Sequence, residues 1–299
     1  EDTRMEPPNA SDSRPPDASA ADWGAAGTAA EVVGEPAGAA ERVASLAPSA
    51  TATLSAMGAG DAVVGVTTHC ALDRPRVGGW LNPDYDRLAD LDPDLVCTAD
   101  PLQADVREEL LERGYEVCHV EPDRMDAVIE SFATLGRAVG RPDAGARLAA
   151  EARDRLAAVR ERVPATGPGP NRSREPAAAG FDADDLSPVV YCEEWSDPPM
   201  AAGNWVPDAV AAAGSRYPFC DAGDRSRAVS RERVERADPD HVVIHHCGHG
   251  DRAEPSLLAD RGWDLDAAVH VLDDDLLNQP SPALLDGIER LARLFHGEQ

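Results

Sequence analysis

An α/β fold of two similar lobes joined by one long helix is what this sequence predicts, and three observations predict it. Short Val-rich apolar runs alternate with segments of helical period, the pattern of parallel strands with helices packed on their faces. Between Pro142 and Val163 the residues Leu148, Ala152, Leu156, Val159 and Val163 stand at spacings of 4, 4, 3 and 4, one apolar stripe along a long helix. Finally, Asp92-Pro93-Asp94-Leu95-Val96 returns as Asp238-Pro239-Asp240-His241-Val242, each opening a strand after a short helix. A carboxylate, Asp86 or Glu232, stands six residues before each copy, so the halves read as counterparts. Counterparts on one helix imply a cleft between them and a matched pair of acidic spots outside.

Residues 1–40 combine Pro, Ala, Ser, Gly, Asp and Glu with almost no large apolar side chain, too little burial to offset chain entropy, and read as a disordered acidic tail. The first lobe, 41–140, opens with a buried strand at Val43–Leu46. Ser49 then caps a helix that runs through Leu54 and Met57 to a stop at Gly58. A strand at Ala62–Val66, a loop with Gly78-Gly79-Trp80, a short helix over Asp84–Ala89 and a strand at Asp94–Thr98 follow. The helix Ala104–Arg113 stops at Gly114, Tyr115–Val120 supplies the next strand, and Asp123–Val139 is helical. The linking helix takes 141–163, and a flexible loop rich in Pro, Gly, Ala and acidic residues takes 164–188. The second lobe, 189–299, carries strands at Val189–Cys192, His241–His245 and Ala268–Leu272. Helices near Pro207–Ala213, Arg231–Arg236 and Pro282–Phe295 alternate with them, the last capped by Ser281 with Pro282 in its first turn.

The 299 residues carry 28 basic against 55 acidic side chains, a net charge of −27, and every basic residue is arginine. Without a basic face the chain is excluded from nucleic-acid binding. Such a charge keeps a chain soluble but makes its compact state repel itself, and molar salt screens that repulsion. The composition therefore reads as salt-adapted, that of a protein from a halophile. No apolar run reaches the ~20 residues of a membrane-spanning helix. Six cysteines without a CxxC pair exclude a zinc ribbon, a thioredoxin motif and a dense disulfide scaffold, and Cys97 and Cys118 read as small buried hydrophobes. Two glycosylation sequons, at Asn9 and Asn171, fit a surface protein.

His69-Cys70 and His245-His246-Cys247-Gly248-His249 each lie just past a strand's carboxyl end, the edge where parallel sheets hold ligands. Imidazole and thiolate suit zinc or iron, so one reading is a metal-dependent cytoplasmic enzyme using this His/Cys cluster. It lacks an HExxH spacing, a Walker loop or a nucleophile elbow to accompany it, and Gly58-Ala59-Gly60 follows a helix where a dinucleotide loop would follow a strand. The other reading is a binding module. Trp80, Trp195 and Trp205, in loops after predicted strands, offer flat apolar area for a large ligand.

The segments Arg42–Thr51, Gly78–Pro83, Asp92–Val96, Trp195–Pro207, Ser230-Arg231-Glu232, Asp238–Val243 and the closing Leu277–Pro282 occur in the order seen in substrate-binding proteins of ABC importers with a helical backbone. Over about residues 41–297 the chain resembles the cobalamin-binding and iron-siderophore-binding members of that class. The resemblance implies two Rossmann-like lobes, a rigid linking helix and a ligand held between lobes with little hinge motion. It implies an extracytoplasmic, cell-surface receptor and no enzyme, one that captures a corrinoid, cobalamin foremost, with an iron-siderophore or haem as the alternative ligand. No cofactor or resident metal is expected. Trp80, Trp195, Trp205, His69 and His246 are then the expected ligand-binding residues. Asp86 and Glu232, one on each lobe, are expected to dock on arginines of the permease dimer, with Asp86 standing where the class more often has glutamate.

Overall fold

The computed structural model describes residues 32–33, 40–163 and 187–297, so the expected tail and the expected 164–188 loop lie almost entirely outside the described residues, as do both sequons. The N-terminal lobe contains β1 (Val32–Val33), β2 (Val43–Ser45), α1 (Pro48–Ala56), β3 (Val63–Val66), α2 (Tyr85–Asp90), β4 (Leu95–Ala99), α3 (Ala104–Glu112) and β5 (Val117–Val120). Its sheet runs β1-β5-β4-β2-β3; all neighbours are parallel except β1, which joins β5 antiparallel. β2, β4 and β5 are buried on both faces, as continuous runs of Val, Leu, Ala and Cys must be when helices cover both sides of a parallel sheet. Cys97 and Cys118 are register neighbours there, both fully buried free thiols.

The C-terminal lobe contains β6 (Val190–Ser196), β7 (Pro199–Ala201), α6 (Val206–Ala212), β8 (Arg227–Ala228), α7 (Arg231–Ala237), β9 (His241–Ile244), α8 (Leu257–Asp260), β10 (Ala268–Val271) and α9 (Ala283–His296). The order is β10-β9-β6-β7-β8, the first three parallel and the last two antiparallel additions. β7 and β8 were not legible as strands because they are two or three residues long and carry Pro199 and exposed Arg227.

The internal repeat has one structural meaning in both lobes. Asp92 and Asp238 leave helices α2 and α7 in the left-handed region, at φ 44° and 48°, and the proline that follows prevents the helix from resuming. The second aspartate then fastens the neighbouring strand. Asp94 accepts the N–H groups of Glu41 and Arg42 at 3.1 and 3.0 Å, and Asp240 accepts that of Val189 at 2.8 Å. Two expected caps are corrected. α1 begins at Pro48, so Ser49 lies inside the first turn and Ala47 precedes the helix without a side-chain cap. α9 begins at Ala283 with Pro282 at the cap position, while Ser281 Oγ accepts the Ala283 N–H at 3.3 Å.

Between the lobes stand α4 (Met125–Ala138) and α5 (Pro142–Arg162). Where a single link was expected, both helices contribute to the C-terminal core. Met125, Val128, Ile129 and Phe132 of α4 share a core with Leu156 and Val159 of α5 and with Val206, Leu285 and Ile288. The far end of α4, Leu135 and Ala138, belongs to the core of the N-terminal lobe with Leu54, Val63 and Cys118. The two helices meet backbone to backbone. A Cβ on Gly136 would lie 2.7 Å from the Gly145 Cα, and one on Gly145 would lie 2.7 Å from the Phe132 carbonyl oxygen. Gly145→Val is therefore expected to cost about 1–3 kcal/mol, the usual price of overpacking, measured as a lowered denaturant midpoint in molar salt.

Candidate functional site

Parallel strands deliver their last residues to one edge of a sheet, and here those edges face each other across the lobes. Asp100, just past β4, stands 3.9 Å from Arg225 of the C-terminal lobe. Glu194, just past the last parallel pair of β6, and Cys247, just past β9, both sense the Asp100 charge. Behind this opening the Met125 N–H donates to Asp208 at 3.1 Å and Arg124 pairs with the same carboxylate at 3.7 Å, so the start of α4 is fastened to α6 within the C-terminal core.

The N-terminal wall is the segment 67–84. Thr68 donates both its N–H and its hydroxyl to the Gly78 carbonyl at 3.0 Å, and Arg76 reaches the carbonyls of Thr67 and Cys70 at 2.9 and 2.8 Å. Gly78 has φ 94°, and a Cβ there would lie 2.7 Å from the Asn82 carbonyl, so the turn requires glycine. Trp80 is half-buried at the tip beside Leu81, which is 37% exposed. Gln103 holds that tip: its Nε2 donates to the Trp80 carbonyl at 2.7 Å and to the Leu46 carbonyl at 3.3 Å, while its Oε1 accepts the Ala99 N–H at 2.8 Å.

Charge along the opening is mainly negative. Asp100, at φ 73°, accepts the Leu102 N–H at 2.9 Å. Burial raises its carboxyl above the ordinary range, the Leu102 bond and Arg225 oppose the rise, and Glu121 adds to it. Glu121 is held by His119, whose other nitrogen meets the Thr98 hydroxyl, at 2.6 and 2.8 Å. On the opposite wall burial pushes Glu194 up to about 7 in spite of a bond from Ser226. Asp274 accepts the N–H groups of Gly248 and Gly250 at 2.8 and 2.7 Å and so fixes the loop after β9.

The structure separates the expected ligand-binding residues. Trp80 is half-buried on the 67–84 segment with its carbonyl held by Gln103, and Trp195 is half-buried at the end of β6 with its ring N–H donated to the Asp197 carbonyl at 2.9 Å. Trp205 is corrected: it is 5% exposed in the C-terminal core, its ring N–H donated to the Leu277 carbonyl at 2.8 Å, because the start of α6 is packed under α9. His246 is corrected as well. Its Nε2 lies 3.0 Å from the Glu193 carboxylate, which is fully buried and also receives two bonds from Arg261, at 3.0 and 2.7 Å, and one from Tyr191 at 2.9 Å. Burial alone would raise the Glu193 carboxyl; these donors hold it below the usual range. His69 is exposed on the 67–84 segment, and buried His245 bonds Asn278.

The His/Cys reading finds no converging cluster among the described residues; the one group with metal-like spacing is Asp273-Asp274-Asp275, which holds no His or Cys. Asp86 and Glu232 are both exposed, each the second residue of a short helix, α2 and α7, capped by Asp84 and Ser230. Sequence reasoning missed Gln103, Asp100, Glu194 and Arg225, since an isolated polar residue after a strand has no periodic signal.

Residues 43–270 match the family described as periplasmic binding protein. The chain belongs to that family. Among the relatives of this periplasmic binding protein is the cobalamin-binding protein of Halobacterium salinarum, 28% identical over 86% of this chain and 69% of that protein. The solved periplasmic vitamin B12-binding protein of Vibrio cholerae superposes with a TM-score of 0.61 at 23% identity, over 86% of this chain and 96% of that one. The haem-binding protein RhuT of Roseiflexus superposes with 0.67 at 24% identity, over 86% and 98%. Both structures share the fold of two Rossmann-like α/β lobes. Among the described residues no helix of this periplasmic binding protein is long and apolar enough to cross a membrane.

Because Trp205 is core and Trp80 is wall, the two alanine variants should part in an unfolding experiment. Trp205→Ala is expected to cost about 3–5 kcal/mol, the range for truncating a buried aromatic, and Trp80→Ala much less.

Proposed function

We propose that this chain is an extracytoplasmic solute receptor that takes a corrinoid, cobalamin foremost, into the cleft and hands it to an ABC importer. The observation that carries the reading is the facing of the two sheets' strand ends, where Asp100 stands 3.9 Å from Arg225; half-buried Trp80 and Trp195, on segments that follow those ends, are the walls of the proposed site. Flat aromatic surfaces in a fixed opening suit a large, rigid, partly apolar ring. The similarity to a cobalamin-binding relative supports the same ligand. The receptor carries out no chemistry on its cargo and needs no cofactor of its own.

The fold supports haem as readily as a corrinoid, and charge separates the two. Asp100, Glu121, Glu194 and Asp274 line the opening against Arg225. The periphery of a corrinoid carries primary amides, whose N–H groups carboxylates accept. Haem brings two propionates, which those carboxylates repel. Glu194 also faces Ser226, Tyr217 and Cys247. Since its carboxyl titrates near 7, it is neutral below that pH and repulsive above it.

Titration in molar potassium chloride with cobalamin, cobinamide, haem and a ferric siderophore tests the reading. Cobalamin is expected to bind one to one and quench tryptophan emission, and Trp80→Ala or Trp195→Ala to weaken it by about 1–3 kcal/mol. Haem is expected to compete better at acid than at alkaline pH. Tight haem binding with no cobalamin binding would overturn the assignment.

Docking follows from the repeat. Asp86 and Glu232 occupy equivalent helix starts, so a two-fold permease dimer can offer one arginine cluster to each carboxylate. The second contact forms at high effective concentration, so loss of either should weaken docking more than a lone surface pair would. Asp86→Ala and Glu232→Ala are each expected to reduce uptake in vesicles holding the permease, with cobalamin affinity unchanged; undiminished uptake by the double variant would contradict this.

A further inference from the structure

Among the described residues, Gln103 is the one polar side chain of the cleft that is completely buried and donates to backbone of two other segments. Its relative exposure is 0%. A primary amide has two N–H donors and an acceptor oxygen, and all three functions are engaged here. Oε1 receives the Ala99 N–H at 2.8 Å, at the very end of β4. Nε2 gives one hydrogen to the Leu46 carbonyl at 3.3 Å, just past β2, and the other to the Trp80 carbonyl at 2.7 Å. The Leu46 carbonyl also accepts the Thr67 hydroxyl at 3.1 Å. Both ends of the aromatic wall therefore reach the same strand end, Thr67 at its start and Trp80, through Gln103, near its finish.

The rest of the tip is tied mostly to itself. Gly79 donates to the Asn82 carbonyl at 3.0 Å, which closes the turn without fixing its height above the sheet. Val66 of β3 and Thr68 hold the base of the turn, at Val77 and Gly78, and the bond from Gln103 ties Trp80 itself to the strand end. We propose that Gln103 is a positioning residue for ligand capture, one that sets the place of Trp80 at the cleft mouth and so sets affinity without touching the ligand. The proposal rests on the reading of the cleft as the ligand site and of Trp80 as one of its walls.

The chemistry of glutamine against glutamate makes the claim testable. In Gln103→Glu the side chain keeps its shape and can still accept from Ala99, but a carboxyl has at most one O–H to donate and none when ionised, so it cannot serve the carbonyls of both Trp80 and Leu46. Gln103→Leu keeps the volume and loses every bond. The experiment is a double-mutant cycle for cobalamin binding in molar salt, comparing the parent, each Gln103 variant, Trp80→Ala and the combinations. Either Gln103 variant is expected to lower affinity about tenfold in the parent, which is about 1.4 kcal/mol, and to change it less than about twofold once Trp80 is alanine. An equal loss in both backgrounds, or no loss in the parent, would overturn the proposal.

A second readout needs no ligand. With 5-fluorotryptophan incorporated, fluorine resonances assigned by single Trp→Phe variants report each ring separately. In Gln103→Glu and Gln103→Leu the Trp80 resonance is expected to shift or broaden while that of buried Trp205 stays in place. If both move, the variant has disturbed the fold and the positioning role is refuted for that substitution; if neither moves, it is refuted outright. Should the parent bind no cobalamin, the functional reading fails while the fluorine result still decides the role of Gln103.

Discussion

Two sheets whose parallel strands end toward each other are useful only if something fixes the distance between them, and in this protein that is the contact of α4 with α5. Glycine at 136 and 145 lets the two backbones touch, so no side chain acts as a compressible spacer. α4 then ends in the core of one lobe while α5 and the start of α4 are packed into the other. Close-packed cores deform little, and a gap spanned by two such helices is held more stiffly than one spanned by a single rod. The bonds of Met125 and Arg124 to Asp208 fasten the start of α4 to α6 within the C-terminal core. A rigid opening suits a rigid ligand, because little conformational entropy is lost on capture.

Within that opening two adjacent glutamates show how sheet geometry assigns roles. The β6–β7 register is irregular between Glu193 and Trp195, and Glu193 and Glu194 enter different surroundings. Glu193 meets Arg261, His246 and Tyr191 and is stabilised as an anion inside the lobe. Burial raises the Glu194 carboxyl toward neutrality, with Ser226 and Arg225 opposing the rise and the charge of Asp100 adding to it. The first is architecture, and on the proposed reading the second is the one that meets the ligand. The same distinction separates Trp205, whose ring nitrogen is satisfied within the core, from Trp80 and Trp195 at the mouth.

Much of the fold was legible because its parallel strands are buried on both faces and its helices carry apolar stripes; Val43–Ser45, Leu95–Ala99 and Val117–Val120 announce themselves as Val-rich, mainly apolar runs. The repeat at Asp92 and Asp238 could be read as a marker of two lobes, although its role in fastening the first strand of each appears only in three dimensions. α4 was assigned to one lobe since nothing local tells which core an apolar face will enter. The site was less legible. Trp205 and Trp195 flank prolines alike in sequence, yet one begins a packed helix and the other ends a strand. Gln103 and Trp80 are 23 residues apart and Glu193 and Arg261 are 68 apart, so their bonds leave no trace in any local pattern.

A crystal structure of the protein grown with cobalamin, with cobalt located by its anomalous scattering, tests the central claim most directly. A single cobalt is expected between the lobes, with the corrin ring in contact with Trp80 and Trp195 and its amides directed at Asp100 and Glu194. Cobalt bound elsewhere on the surface, or an empty cleft at saturating cobalamin, would contradict it.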